Sequence, residues 1–366
     1  MNFWGILFIV MILLTLGAVF YLASRFRRFS FMQGLCREHK VLSWTAGLIP
    51  TAACGLFAFI NVWTAIVVLI HLLVIWGICD FIAFVIRKIS GKKRRFNIEG
   101  AAAILLTTAY LSVGWYNAFH VDVTDYSFTT SKDIGDGIRI VGIADSHLGI
   151  TLDGDTFRKE MAKVQQAEPD IVIVAGDFVD DDSTRSDMIK ACSALGDLKT
   201  TYGVYFIYGN HDKGYFEYRD FNSDELEAEL LKNKVTILKD QTVEIGEHFL
   251  LAGRLDRTFT ERLSAQELLK DADRSKYIIM LDHQPNDYAN EAAAAPDLVF
   301  SGHTHGGPLI PAGQIGLLLG LNDRVYGTEK RENTDFVVTS GISGWAIPFK
   351  TGTFSEITVM DIRPSK

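Results

Sequence analysis

Hydrophobic and polar positions divide this chain into two regimes. Through residue 119 the apolar runs are long and nearly unbroken; beyond it they are short and each ends in polar residues. Residues 3–23 carry no charged side chain and come close to the roughly 20 apolar residues that a membrane-crossing helix needs. Between Val41 and Ile86 the only charged or imidazole side chains are His71 and Asp80, so this stretch predicts two more spans with a break near Asn61. Residues 98–119 predict a fourth. Four such segments in succession argue for a membrane anchor rather than for the buried helices of a soluble domain. Residues 3–23 also lack the positive leader of a secretory signal, which favours a retained anchor.

The second regime alternates strand-length and helix-length patterns. "IRIVGIADSHLG" (138–149), "DIVIVAGDFVDD" (170–181), "GVYFIYGNHD" (203–212), "YIIMLDHQP" (277–285) and "LVFSGHTHGG" (298–307) are each an apolar run that ends in a polar cluster. Between the first two, "DTFRKEMAKVQQAEPD" places Phe157, Met161 and Val164 on one helical face, with Pro169 after its end. "MIKACSALGDLKT" predicts another helix. The βαβαβ order implies a layered α/β domain, whose ligands gather at the carboxyl ends of its strands. "VTILKD", "VEIGEHFLLAG", "DFVVTSG" and "FSEITVMDI" predict further strands, several of them antiparallel. Residues 120–136 are expected to be a short linker, and Ser223–Asn233 a solvated polar helix.

Charge separates the same two regions. Residues 1–119 hold 11 Lys and Arg against three acids, Glu38, Asp80 and Glu99; the remainder holds 25 basic and 41 acidic residues. Expected boundaries are therefore an anchor of four helices at 1–119 and a second domain at 120–366. Arg25, Arg27, Arg28, Arg37 and Lys40 lie between spans one and two. Arg87, Lys88, Lys92, Lys93, Arg94 and Arg95 lie between spans three and four. Basic loops stay in the cytoplasm, so the expectation is a multi-pass protein of the cell membrane with its second domain on the extracytoplasmic side. Asp80 is expected to interact with Arg87, and His71 with Asp80 forms no evident relay. Of four cysteines only Cys192 lies beyond the anchor, so that domain has no internal disulfide.

The strand ends carry the chemistry. Asp145, His147, Asp177, Asn210, His283, His303 and His305 are oxygen and nitrogen donors without a thiolate, a set suited to Mn, Fe, Zn or Mg. Seven donors exceed the needs of one ion and suit two ions that share a carboxylate. A His-x-His pair then lets one strand end serve both. His211, beside Asn210 at the same strand end, is an imidazole suited to general acid–base work near neutral pH. Asp212 is placed in sequence to orient it, with loop capping as the alternative; for Asp282, loop capping is the expectation.

"DSHLG", "GDFVD", "GNHD", "DHQP" and "GHTHGG", in this order, resemble the calcineurin-like metallophosphoesterase superfamily, and within it the bacterial membrane-anchored phosphodiesterase branch. The resemblance covers about residues 136–361, including "SGISGWAIPF…SEI". It implies a transmembrane region followed by an αββα sandwich. It also implies two divalent cations, Mn foremost, one held by Asp145, His147 and His305 and the other by Asn210, His283 and His303. Asp177 would bridge them, and His211 would face the substrate phosphate. Two departures bear on substrate choice: Pro308 stands where the branch commonly has glutamine, and Lys350 where it has arginine.

Such a centre hydrolyses phosphoesters, with a water of lowered pKa between the cations as nucleophile. Phosphodiesters, pyrophosphates and phosphomonoesters all fit, among them phospholipids and lipid-linked pyrophosphates. A surface nucleotidase or nuclease is the competing enzyme reading, disfavoured because the domain is strongly acidic. A non-catalytic sensor on the same fold is disfavoured by the complete donor set, and a transporter by the lack of an ion pathway. "PLIPAGQIGLLLGLN" (308–322) has no charged residue. It is either an apolar rim that admits acyl or prenyl chains, or a hairpin that buries its leucines in the sheet.

Overall fold

The computed structural model describes residues 3–91, 96–215 and 218–365. Two compact units divide the chain, Met1–Val113 and Gly114–Lys366. Lys92, Lys93, Arg94 and Arg95 of the second basic loop lie outside the described residues.

The first unit is helical: α1 (Phe3–Phe26), α2 (Ser30–Glu38), α3 (Lys40–Ala53), a 3₁₀ turn (Cys54–Phe59), α4 (Val62–Ser90) and α5 (Ile98–Phe119). Four segments are long and apolar enough to cross a membrane, Ile9–Phe26, Lys40–Phe59, Val62–Ser90 and Ile98–Phe119. The second and third part at Asn61, whose side chain caps α4 by accepting the Thr64 amide at 2.8 Å. Asp80 does not meet Arg87. It accepts from Tyr21 at 2.8 Å and pairs with Arg25 at 2.5 Å, while Arg87 pairs with Glu99 at 3.0 Å. Seven residues along one helix separate side chains by roughly 10 Å of axial rise, whereas α1 brings Arg25 alongside. The first basic loop is not a plain connection either, since α2 occupies its middle.

In the second unit, sheet one has the order β1-β12-β2-β3-β4-β5 and sheet two the order β10-β11-β9-β8-β7-β6. The strands are β1 (Val121–Thr130), β2 (Ile138–Ile143), β3 (Ile171–Ala175), β4 (Val204–Ile207), β5 (Val235–Ile237), β6 (Gln241–Ile245), β7 (Phe249–Gly253), β8 (Tyr277–Leu281), β9 (Leu298–Ser301), β10 (Gly327–Arg331), β11 (Thr334–Val338) and β12 (Ser355–Pro364). Strands β2 to β5 are parallel, as are β7, β8, β9 and β11. β6, β10 and β12 join them antiparallel.

Alternation along the strands makes three cores. Ile140, Ile173 and Ile207 of sheet one meet Leu251, Ile279 and Phe300 of sheet two. On the other face of sheet one, Val141, Val172 and Phe206 pack under α6 (Gly154–Gln166), α7 (Arg185–Gly196) and α8 (Ser223–Lys232). On the outer face of sheet two, Ile278, Met280 and Val299 pack under α9 (Ala265–Leu268) and α10 (Tyr288–Ala294). The layering is αββα. Phe157, Met161 and Val164 face the core as their spacing predicts.

Three expectations change. Residues 120–136 are not a linker, because β1 pairs with β12 in parallel over ten residues, from Val121↔Ser355 to Thr130↔Pro364. Its tenuous alternation hid it: Tyr126 and Phe128 pack on the inter-sheet core while Val123 stays exposed. The helix at 223–232 is not a solvated excursion either, since Leu226 and Leu230 are fully buried against sheet one. And residues 308–322 form no hairpin in the sheet; their centre is a short helix, α11 (Ala312–Leu318).

Leu230→Ala is therefore expected to destabilise the protein by about 2–5 kcal/mol, the usual range for a buried leucine, whereas Leu231→Ala, on an exposed face, changes little. Thermal denaturation of both variants in detergent measures the difference.

Candidate dimetal centre

The parallel strands of the two sheets end side by side, and the polar clusters of the sequence meet there. Asp145 and His147 follow β2, Asp177 follows β3, Asn210 and His211 follow β4, His283 follows β8, and His303 and His305 follow β9. Five of these, Asp145, His147, Asp177, His303 and His305, have left-handed backbones with φ between 36° and 70°. Non-glycine residues enter that region at a cost, and such strain gathers at functional sites. Here it turns each chain sharply at the strand end and points successive side chains into one space. Gly209 permits the closest approach, because a Cβ there would run into Asp177 Oδ1.

Three groups of donors result, the atoms of each within 4.8 Å of one another. Two divide the strand-end ligands, Asp145 with His147 and His305, and Asp177 with His283 and His303; the third is His147, Asp180 and His211. His147 Nε2 and His305 Nε2 are 3.1 Å apart. Asp177 joins the groups: its Oδ2 lies 3.6 Å from His147 Nε2 and 3.1 Å from His283 Nε2. Its Oδ1 accepts the His211 amide at 2.8 Å. The His303 amide donates to both Asp145 oxygens, at 3.0 and 2.9 Å. His303 and His305 thus divide between the two groups.

Hydrogen bonds outside the cluster aim the rings. Nδ1 of His147 is held by Asp180 Oδ2 at 2.8 Å, Nδ1 of His283 by the Ala175 carbonyl at 2.8 Å, and Nδ1 of His305 by the Ser343 carbonyl at 3.4 Å. Each leaves Nε2 to face inward, an arrangement typical of metal-ligating histidines. Asn210 Nδ2 donates to the Tyr215 hydroxyl at 3.0 Å, which leaves its buried Oδ1 without a hydrogen-bond partner.

The charges are interdependent. Burial raises the Asp145 carboxyl above its usual range. Burial pushes Asp177 the same way, but His283, His147 and His211 overcome it and hold that carboxyl well below the usual range. Burial and the neighbouring His147 hold His305 well below the usual imidazole value, and burial with His283 lowers His303 to about 4. Two neutral rings beside an ionised carboxylate suit metal ligation, whereas His283, which burial would lower but Asp177 raises well above the usual imidazole value, would give up its proton to a metal.

Sequence reasoning missed Asp180. Its Oδ1 holds His211 Nδ1 at 2.9 Å while Oδ2 holds His147, so one carboxylate orients a candidate ligand and the candidate catalytic imidazole together. Its place in "GDFVDD", one turn past Asp177, was the available signal. Asp212 does not orient the imidazole. It is buried and accepts the amides of Asp177, Phe178, Val179 and Gly209 at 2.7–3.1 Å, which fixes the turn that carries Asp177. Asp282 is no loop cap; it is fully buried and paired with Arg254 at 2.7 Å and with Arg262. Lys350 is likewise fully buried, donating to the carbonyls of Ser340, Gly341 and Phe354, so it braces the tail loop and does not face a substrate.

A family model described as calcineurin-like phosphoesterase matches residues 138–307. An uncharacterized metallophosphoesterase of Aquifex aeolicus is 30% identical over 258 residues, covering 67% of this chain and 93% of that protein. The chain belongs to the calcineurin-like phosphoesterase family. A metallophosphoesterase of Campylobacter jejuni is 28% identical over 302 residues, 78% of this chain and 77% of its own. A transmembrane protein with metallophosphoesterase domain from Danio rerio is 31% identical over 273 residues, 69% of this chain and 60% of its own length. This calcineurin-like phosphoesterase is thus a metal-dependent hydrolase of phosphoesters and, by its four spans and such relatives, a membrane protein. Its residues fit the metals the family implies: three inward Nε2 atoms, an orphaned buried amide oxygen and a carboxylate between two donor groups.

Asp180→Asn is expected to lower turnover about 10–100-fold, the usual cost of losing such a support. Asp180 also raises the His211 pKa against the lowering effect of burial. An imidazole that acts as acid works below its pKa, so the alkaline limb of the pH–rate profile should move to lower pH in this variant. An unchanged profile would assign Asp180 to His147 alone.

Proposed function

We propose that this protein is a membrane-anchored dimetal phosphohydrolase whose catalytic domain faces away from the cytoplasm. The observation that carries the reading is the position of Asp177 Oδ2 between the two donor groups. Asp145, His147 and His305 would hold one cation, Asn210, His283 and His303 the other, with Asp177 shared and Mn the leading candidate. When bound, such a pair acidifies a water and neutralises the phosphoryl oxygens.

The chain's own residues do the remaining work. His211 is half-buried at the edge of the centre, its Nδ1 held by Asp180 and its ring edge-on to Tyr215 and Trp345. Its Nε2 is the atom that would steady a phosphate oxygen and deliver a proton to the leaving oxygen as the P–O bond breaks. Asp212 keeps the Asp177 turn closed without touching the substrate. For substrate, the reading favours a phosphodiester or pyrophosphate attached to a lipid, because the enzyme is held in the membrane.

Purified protein in detergent with Mn²⁺, assayed against phospholipids, lipid-linked pyrophosphates, nucleotides and an aryl diester, tests the activity and ranks the classes. Asp177→Asn should abolish hydrolysis and lower metal content. His211→Ala should retain both metals while losing most of the rate, and a metal-free His211→Ala protein would make His211 a ligand. Orientation is tested separately with single cysteines at Ser131 and Ser90, both exposed, in a cysteine-free background. An impermeant thiol reagent on intact cells should label Ser131→Cys and spare Ser90→Cys; the opposite pattern reverses the topology.

A further inference from the structure

Immediately after the histidine pair, the chain presents an apolar surface that the centre itself does not use. Ile310, Ile315, Leu317, Leu318, Leu319 and Leu321 are all exposed, Leu318 at 86%. Among the described residues of the Gly114–Lys366 unit, other strongly exposed aliphatic side chains, such as Val123, Ile189, Leu231 and Leu263, occur singly. A continuous apolar patch on an uncharged segment marks an interaction surface.

The base of this excursion is fixed. Gly307, two residues after His305, has φ +70° and lies so close to Gly313 that a Cβ would meet the Gly313 Cα at 2.8 Å. Thr304 Oγ1 donates to the Val325 carbonyl at 2.6 Å, tying the far end back. The leucines therefore point outward from a rigid support beside the candidate ligands.

What covers them follows from the neighbouring segment. The Thr351 amide donates to the Pro308 carbonyl at 2.7 Å, and the Ile310 amide donates to Thr351 Oγ1 at 3.2 Å. One residue earlier, the Lys350 amide donates to the Gly114 carbonyl at 2.8 Å, and Asn117 Nδ2 donates to the Lys350 carbonyl at 3.1 Å. Phe349 packs edge-on against Trp115, with ring centroids 5.7 Å apart. Gly114–Phe119 is the carboxyl end of the last apolar span, and it belongs to the same compact unit as the phosphoesterase fold. Its exposed Trp115, Tyr116 and Phe119 are aromatic, and Trp and Tyr collect at membrane–water interfaces. Residues 349–351 thus touch the end of a membrane span on one side and the root of the apolar helix on the other.

We propose that α11 and its flanks, from Ile310 to Leu321, lie in the interfacial layer of the bilayer that α5 crosses. The metal centre then opens beside that layer and takes phosphorylated lipids from it. Short amphiphilic segments bury their apolar side chains to such depths without spanning. The substrate half of this proposal rests on the phosphohydrolase reading; the insertion half does not.

The test uses the full chain in phosphatidylcholine–phosphatidylglycerol nanodiscs, with the native cysteines replaced by alanine and a spin label at Leu318→Cys or, as control, at the exposed Ile189→Cys of α7. Collisions with oxygen should dominate for the label at 318, and collisions with a water-soluble nickel chelate for the label at 189. A label at 318 as accessible to nickel as that at 189 overturns the insertion. The Asp177→Asn background keeps the two readings apart, because it stops hydrolysis and should leave the depth of the label unchanged. For the substrate half, the phosphatidylglycerol of the nanodiscs is the lipid phosphodiester, and a long-chain prenyl diphosphate is added as the pyrophosphate. The double variant Leu317→Ser, Leu319→Ser should lose at least tenfold in rate on whichever lipid the parent protein cleaves, and less than twofold on a soluble aryl diester. Equal losses on lipid and soluble diester, or cleavage of neither lipid by the parent protein while the diester is cleaved, overturn the lipid supply and leave the phosphohydrolase reading standing.

Discussion

One buried carboxylate, Asp177, stands between histidines that arrive from opposite sheets: His147 from sheet one at 3.6 Å and His283 from sheet two at 3.1 Å. Most of the catalytic unit serves to keep that meeting in place. The two sheets must pack so closely that a Cβ on Gly142 would lie 2.5 Å from the ring of Phe300. Their parallel strands must also end at the same level, because a one-residue slip would turn the ligands of a strand end to the wrong face. Three apolar layers, with isoleucines and valines alternating between them, hold that register.

The centre is itself unfavourable to fold. Five left-handed backbones at strand ends cost on the order of 1–3 kcal/mol each, and two buried carboxylates near one another add repulsion. The surrounding hydrogen bonds offset part of this. Asp212 collects four amides at the Asp177 turn, and Asp180 holds two imidazoles with one side chain. Bound cations would remove the remaining repulsion, so the strain in the turns and the charge in the cluster point to the same partner.

The candidate site was largely legible because strand ends put it in the sequence as recurring apolar-run-then-donor patterns. Asp145, His147, Asp177, His283, His303 and His305 come together in two donor groups, and Asn210 lies at the end of β4 with its amide bonded to Tyr215. Roles set by three-dimensional neighbours were not legible. Asp180 and Asp212 are each one turn from a candidate ligand, and only the folded loop decides which meets an imidazole and which meets amides. Lys350 reads as a departure that bears on substrate choice, yet it is fully buried and donates to three carbonyls. In the fold, the five motif-bearing strands announced themselves through hydrophobicity. β1 did not, because an edge strand with one packed and one wet face carries a feeble pattern. Likewise α8 looks solvated by composition, and two leucines one turn apart are its entire buried face.

The strand that sequence concealed has a consequence of its own. Only His120 separates the end of α5 from β1, and β1 is hydrogen-bonded along its whole length to β12. Among the described residues, no loop longer than His120 lies between the end of α5 and the first strand. A soluble fragment that begins after Thr130 would strip an edge strand from the catalytic sheet and leave β12, with its buried Ile357 and Val359, open to pairing with other chains. Cleavage beyond Thr130 would therefore not release an intact catalytic sheet.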